Sequence, residues 1–288
     1  SDPSTASKRR VKQQQLAALR DITSDVEEDE FVPYACFYDP RTIITKNGEL
    51  CQTIKVTGLQ HEAFGQQYEP EELRGLIRTS LKTHLPNDSF AVWLHTIRTR
   101  TSLAPEGSFA PDSVAEAINA AWIEGNQLAH QHVNEVFITI VHEGESASLS
   151  DLRLFARGLW PGRDLSAREA YLDQSFATLD ATVQAIAGDL RAYGAERLGM
   201  SKAEGRYDSE QLRFLEKLIN FVDRPMPVPQ MDLSLYLTSG EITFAFNAME
   251  VRTALGVRRF ASILTLKEYM EASLKAVDAF LELPMEFI

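Results

Sequence analysis

The sequence predicts an α+β fold in which antiparallel hairpins stand beside helices and one parallel crossover unit, with room for two packed subdomains. Three observations predict it. Asn47-Gly48 sits between two strand-like runs and is a strong hairpin signal. Several later stretches carry apolar residues at helical spacing, the longest being Leu172, Phe176, Leu179, Val183, Ile186 and Leu190. Between them, a strand at Phe90–His95, a helix from about Ser113 and a strand at Glu135–Val141 follow one another. A connection of that length suggests a right-handed parallel crossover.

The chain has 288 residues and is 44% hydrophobic, enough to bury a substantial core. Its formal net charge is −12, which argues against a broad nucleic-acid surface, since such a surface needs a basic stripe. No apolar run approaches the ~18 residues of a membrane-spanning helix, and no signal peptide is visible. The chain opens on Ser1-Asp2-Pro3 without an initiator Met, which reads as an added leader or a processing product. Cys36 and Cys51 read as two free thiols. The Asp39-Pro40 break sets them in an unfavourable relation for a bridge, although a fold-back would change that.

Residues 1–30 form a polar leader. Lys8, Arg9 and Arg10 open it, a run of acidic residues from Asp25 to Glu30 closes it, and Val11, Gln15, Ala18, Leu19 and Ile22 share one helical face between. A solvated terminus is the plainer reading; a helix that touches a partner or a membrane surface is the alternative. Residues 31–288 then hold the folded part, one large or two modest domains, with a loop-rich link near 143–165 where it could subdivide.

In the hairpin, a two-residue turn at Asn47-Gly48 sets Ile44 opposite Cys51. Leu50, Ile54 and Val56 fall on one face, and Cys51, Thr53, Lys55 and Thr57 on the other, as for a half-buried strand. A helix starts at Glu69-Pro70, turns Leu73, Ile77, Ser80 and Leu81 inward, and stops at Pro86-Asn87-Asp88. Phe90–His95 is nearly continuously apolar, as for a strand covered on both faces. Arg98 and Arg100 follow; they read as a solvated strand end, with phosphate binding the alternative.

The helix from Ser113 has a capping box closed by Glu116, and Val114, Ile118, Ala121, Trp122 and Leu128 form its stripe. Ser166 and Glu169 open the long helix and Gly194 supplies its stop. Another helix spans about Ser209 to Val222, with Leu212, Leu215, Ile219 and Val222 facing in. Prolines at 225, 227 and 229 make the next stretch an extended strap. Strands are expected at Leu233–Leu237, Glu241–Asn247, Val251–Leu255 and Arg259–Leu266, and a last helix at Val277–Leu283. Met285-Glu286-Phe287-Ile288 carries no stop signal and reads as a cut inside a longer protein.

Read for chemistry, the chain offers little. His130, His132 and His142 with Glu143 hint at a metal, but zinc wants three or four convergent ligands and this spacing suits a strand or loop. Trp93, Trp122 and Trp160 read as core anchors. There is no Cys-x-x-Cys and no Gly-x-Ser-x-Gly, and there is no Gly-Lys dipeptide, so a phosphate-binding loop is excluded.

Four stretches carry a resemblance. The first runs from the Pro33-Tyr34 entry through Tyr38-Asp39 and Ile43-Ile44-Thr45-Lys46-Asn47-Gly48-Glu49-Leu50 to Ile54-Lys55-Val56-Thr57-Gly58. The others are Asn134–Val141, Ala261–Tyr269 and Leu283–Ile288, in that order. Together they resemble the N-terminal region of the large ATPases of type IV secretion and conjugative transfer systems, the TrbE/CagE-type family of VirB-system ATPases. Met270 departs from it, because the family usually has Pro there.

The resemblance implies a scaffold that places a motor at the cytoplasmic face of the bacterial inner membrane. It implies docking to a small inner-membrane subunit and to cytosolic tails of bitopic subunits, and self-association into dimers or hexamers. ATP and Mg²⁺ are implied for the full-length protein only. No catalytic, cofactor-binding or metal residue is carried over onto this chain, and no direct nucleic-acid binding is expected of it. The hairpin 41–57 and the strands 241–266 are the edges expected to accept partners. Two other readings stand beside this one: a free-standing enzyme with an acidic site, and an acidic adaptor unrelated to secretion.

Overall fold

A computed structural model describes residues 28–57, 70–85, 89–101, 113–126, 131–143, 165–203, 205–245, 248–263 and 285–288. The leader before residue 28, the link 144–164 and the helix expected at 277–283 lie outside them, as does the end of the last expected strand.

The α+β class holds, and its centre is an antiparallel six-stranded sheet. Its strands are β1 (Tyr34–Asp39), β2 (Thr42–Thr45), β3 (Leu50–Val56), β4 (Phe90–Thr101), β5 (Gln131–His142) and β6 (Ala195–Arg197). The order is β1-β2-β3-β5-β4, and β6 also lies on β3. β2 takes the first half of β3 through Ile43↔Cys51 and Ile44↔Leu50, and β6 takes the second half through Ile54↔Arg197 to Val56↔Ala195.

The expected parallel crossover is not there. β4 and β5 pair antiparallel along their whole length, from Phe90↔His142 to Thr101↔Gln131. The chain therefore leaves and re-enters the sheet at the same end. The helix between them, α2 (Val114–Asn126), belongs to a long hairpin connection. Strand–helix–strand spacing does not distinguish the two arrangements; only the pairing direction does. Val114 and Ile118 of its stripe are exposed rather than buried.

The Asn47-Gly48 turn is one residue longer than the two-residue reading. Thr45 N–H donates to Glu49 O at 2.8 Å and Gly48 N–H to Thr45 O at 3.0 Å. Ile44 therefore faces Leu50, and Ile43 faces Cys51. Only Gly48 has a positive φ, at 87°. A three-residue loop needs a left-handed residue at its last position alone. The buried Thr45 side chain tightens the loop, donating to Glu49 Oε2 and accepting from the Glu49 amide. Gly48→Ala is expected to cost about 1 kcal/mol, since L residues resist this φ. Asn47→Ala should cost less than half of that, and equal losses in a urea melt would contradict this turn.

Both faces of the sheet are covered, so β3 is not half-buried but buried almost throughout. On one face lie α1 (Pro70–His84) and the long α3 (Leu165–Asp189). Ile44, Leu50, Ile54, Ile138 and Ile140 pack there against Leu179, Val183, Ile186 and Leu190, with Leu73, Ile77 and Leu81 of α1 at the margin. The stripe expected of α3 is core. The chain then turns through Arg191–Tyr193 to Gly194 at φ 64°.

On the other face Ile43, Cys51, Ile97, Phe137 and Val141 meet Leu212, Phe214 and Leu215 of α4 (Glu210–Asn220) and Leu233 and Leu237 of α5 (Leu233–Leu237). Phe137 and Phe214 stack with ring centroids 4.3 Å apart, and Trp93 packs beside them. Leu233–Leu237, expected as a strand, is this short helix, and its buried Leu233, Ser234 and Leu237 close the core over α4.

Ser209 caps α4 by accepting from Leu212 N–H at 3.2 Å, and Phe221 ends it in a left-handed conformation. The proline strap is extended as expected. It runs beside β8 (Arg206–Ser209), which pairs with β7 (Met200–Ala203), and Ser209 N–H donates to Met226 O at 2.8 Å. A separate antiparallel sheet contains β9 (Glu241–Phe244), β10 (Met249–Arg252) and β11 (Arg258–Ala261), with β10 in the middle.

Both cysteines are free. Cys36 stands opposite Ile44 and Cys51 opposite Ile43, so they point to opposite faces of the sheet. Burial pushes the Cys36 thiol up to about 11 and the Cys51 thiol to about 12, so both stay protonated at neutral pH.

Candidate interaction surface

Two polar networks hold the layers to the sheet. On the face covered by α4, Glu135 of β5 receives Lys55 Nζ from β3 at 2.6 Å and Lys217 Nζ from α4 at 2.7 Å. Lys217 also meets Asp223 at 2.9 Å, and Arg213 pairs with Asp223. Burial disfavours the Glu135 carboxylate, but hydrogen bonds from Lys217 and Lys55 hold its pKa below the ordinary range.

On the opposite face, Gln52 of β3 donates to Thr42 Oγ1 at 2.8 Å and to Asp180 of α3 at 3.2 Å. Arg197 of β6 pairs with Asp180 and donates to Gln52 Oε1 at 2.8 Å and Gln184 Oε1 at 2.7 Å. Most of these groups satisfy one another, with Arg197 Nε left over. They act as rivets between sheet and helices, and they present no open acid, base or nucleophile.

The sequence-derived metal idea does not gather. His132 pairs with Arg100 and His142 with Phe90, at opposite ends of β5. At roughly 3.3 Å per residue they stand about 30 Å apart. The His142 ring lies edge-on to Phe90 at 4.7 Å, and burial pushes its pKa below the usual imidazole value. His130 lies outside the described residues. Arg98 donates to Asn134 Oδ1 at 2.9 Å, which ties it into the sheet.

Of the expected partner edges, the hairpin 41–57 is not one. β2 is paired on both sides by β1 and β3, and β3 by β5 on one side and by β2 and β6 on the other. Among the described residues, the margins of the large sheet are β1, β4 and the short β6, which pairs with β3 alone. Of the strands of the small sheet, β9 and β11 are outermost and β10 lies between them.

The small sheet also bears two exposed aromatic side chains. Phe260 is 70% exposed on the face it shares with Glu250, Arg252 and Arg258. Its ring lies 5.7 Å from the Arg258 guanidinium, which in turn holds Glu250 by two hydrogen bonds of 2.6 and 2.9 Å. Phe244 is 72% exposed on the other face, and Leu255 and Ile263 stand out nearby in sequence. Aromatic groups ringed by charged residues are the usual anchors of protein interfaces.

Two family models match the chain in series. The first, described as the N-terminal domain of the type IV secretion system ATPase VirB4/TrbE, matches residues 41–148. The second, the CagE, TrbE, VirB family, a component of type IV transporter systems, matches residues 196–288. This chain belongs to the VirB4/TrbE family.

Its curated relatives agree. It is 26% identical over 249 residues to the type IV secretion system protein virB4 of Brucella suis biovar 1 (strain 1330), covering 83% of this chain and 29% of that protein. It is 22% identical over 252 residues to protein virB4 of Agrobacterium tumefaciens (strain 15955), covering 86% and 30%. The chain thus spans under a third of the length of the VirB4 relatives it matches. The first match takes in β2 to β5 and the second β6 to the C-terminal residues, so both cross the same six-stranded sheet. An adaptor unrelated to secretion is overturned by these matches.

Proposed function

We propose that this region is the docking scaffold of a type IV secretion ATPase, seating the motor at the cytoplasmic face of the inner membrane. The observation that carries it is the exposed aromatic groups of the β9–β11 sheet, set among charged residues, within a chain of VirB4/TrbE membership. Small inner-membrane subunits, cytosolic tails of bitopic subunits and further copies of the protein are the partners that fit this role. No helix among the described residues is long and apolar enough to cross a membrane; attachment through protein contacts or peripheral lipid contact is part of this reading.

Substrate transfer or pilus assembly, energised by ATP with Mg²⁺, would be the work of the full-length protein. This chain does not fit the nucleotide. It has no Gly-Lys dipeptide for a phosphate-binding loop, and one amide at the start of each of α2 and α4, Glu116 N–H and Leu212 N–H, is already taken by Ser113 and Ser209. Co-elution of the chain with inner-membrane subunits of its own secretion system is the test of docking.

A further inference from the structure

The last residues of the chain lie against the outer edge of β4. Arg98 N–H donates to Phe287 O at 2.7 Å, and Phe287 N–H returns to Arg98 O at 3.1 Å. Such a mutual exchange is the close hydrogen-bonded pair of an antiparallel ladder. On the other side of it, Arg100 N–H is taken by the Glu286 side chain at 2.9 Å instead of by backbone, so the pairing begins at Phe287. It can be extended in one direction only, from Arg98 towards Phe90.

Along that direction the edge is open. Arg98 points its backbone groups outward, and with a period of two so do Thr96, Leu94 and Val92. Among the described residues no further strand stands on β4. Leu94 is 60% exposed there, although its register partner Ile138 is fully buried. An open edge of this kind is a template for another strand.

A second copy does not suit it. Two β4 strands related by a two-fold axis at Leu94 would set Phe90 of one opposite Arg98 of the other, a place Phe287 already fills. That arrangement would leave only Val92 to Thr96 to pair.

We propose that the polypeptide following Ile288 in the full-length protein continues along β4 as the next strand of the large sheet. The VirB4 relatives are more than three times as long as the part that this chain matches, and the first family match is to their N-terminal domain, so further polypeptide is there to supply such a segment. In the register fixed by Phe287, the first, third and fifth residues after Ile288 stand opposite Thr96, Leu94 and Val92 and accept their amide protons. The third and fifth continue the apolar face of Leu94 and Val92. The strand mounts the exit of this region on its own sheet, so that displacement of whatever follows is felt directly at β4.

Hydrogen exchange of the purified full-length protein, set against the 288-residue chain, tests it. The amides of Val92, Leu94 and Thr96 are expected to exchange about tenfold or more slowly in the full-length protein, and Phe287→Pro, which removes the anchoring N–H, should reverse that slowing. Equal exchange at the three amides in both chains, or slowing that survives Phe287→Pro, would overturn the proposal. Either result leaves the docking role to be judged by co-elution.

Discussion

Glu135→Ala is expected to lower stability by about 2–4 kcal/mol, because it strips the shared acceptor from two ammonium groups. Lys217 is only 11% exposed and Lys55 sits against the Phe137 ring. Without Glu135, Lys217 is left with Asp223 and Lys55 with the Phe137 ring. Lys217→Met should cost less, because it leaves Glu135 with Lys55 and Asp223 with Arg213.

The sign of the pH effect follows. Glu135 has a lower pKa folded than unfolded, so its stabilisation is fully present above the ordinary carboxylate range. It is lost as pH falls through that range and below it. Chemical denaturation from pH 7 down to pH 3 should therefore show a shallower acid loss for Glu135→Ala than for the parent chain. Parallel curves would mean that the pair contributes nothing.

Ile138→Ala is expected to cost about 2–5 kcal/mol, a large part of the ~5–15 kcal/mol that holds a typical domain together. Ile138 is fully buried between Ile54 on β3 and Leu94 on β4, under the α3 stripe. A cavity there opens in the middle of the sheet, where neither strands nor α3 can collapse to fill it. Leu94→Ala, its neighbour in the ladder, should cost under about 1 kcal/mol because Leu94 is mostly exposed in this chain. Similar shifts in the urea midpoint for both would contradict the placement of β4 at the margin.

The sequence carried the periodic elements well. α1, α3 and α4 were legible because their apolar residues recur at helical spacing against one core. The proline strap was legible because proline allows few other conformations. What failed was pairing. Nothing in Phe90–His95 or Glu135–Val141 records the direction in which two covered strands meet, so an antiparallel β4–β5 ladder read as a crossover. Leu233–Leu237 alternates as a strand does, and only α4 beneath it makes five residues a helix. β1 and the short β6 were not anticipated, and with them went the reading of 41–57 as a free edge.

The polar rivets were missed for the same reason. Lys55, Glu135 and Lys217 are ordinary charges until the register sets them within hydrogen-bond reach. Alternation in the strand expected at Glu241–Asn247 puts Phe244 on one face with Ile242, but that Phe244 stays exposed could not be read from it. Family membership rested on four ordered motifs, which needed no register to be seen.

Size-exclusion chromatography with light scattering, on this chain with detergent-solubilised inner-membrane subunits of its own secretion system, tests the docking role most directly. A complex of defined mass that is lost when Phe244 and Phe260 are both replaced by serine is the predicted result. A chain that elutes alone beside every subunit, while remaining folded, would contradict it.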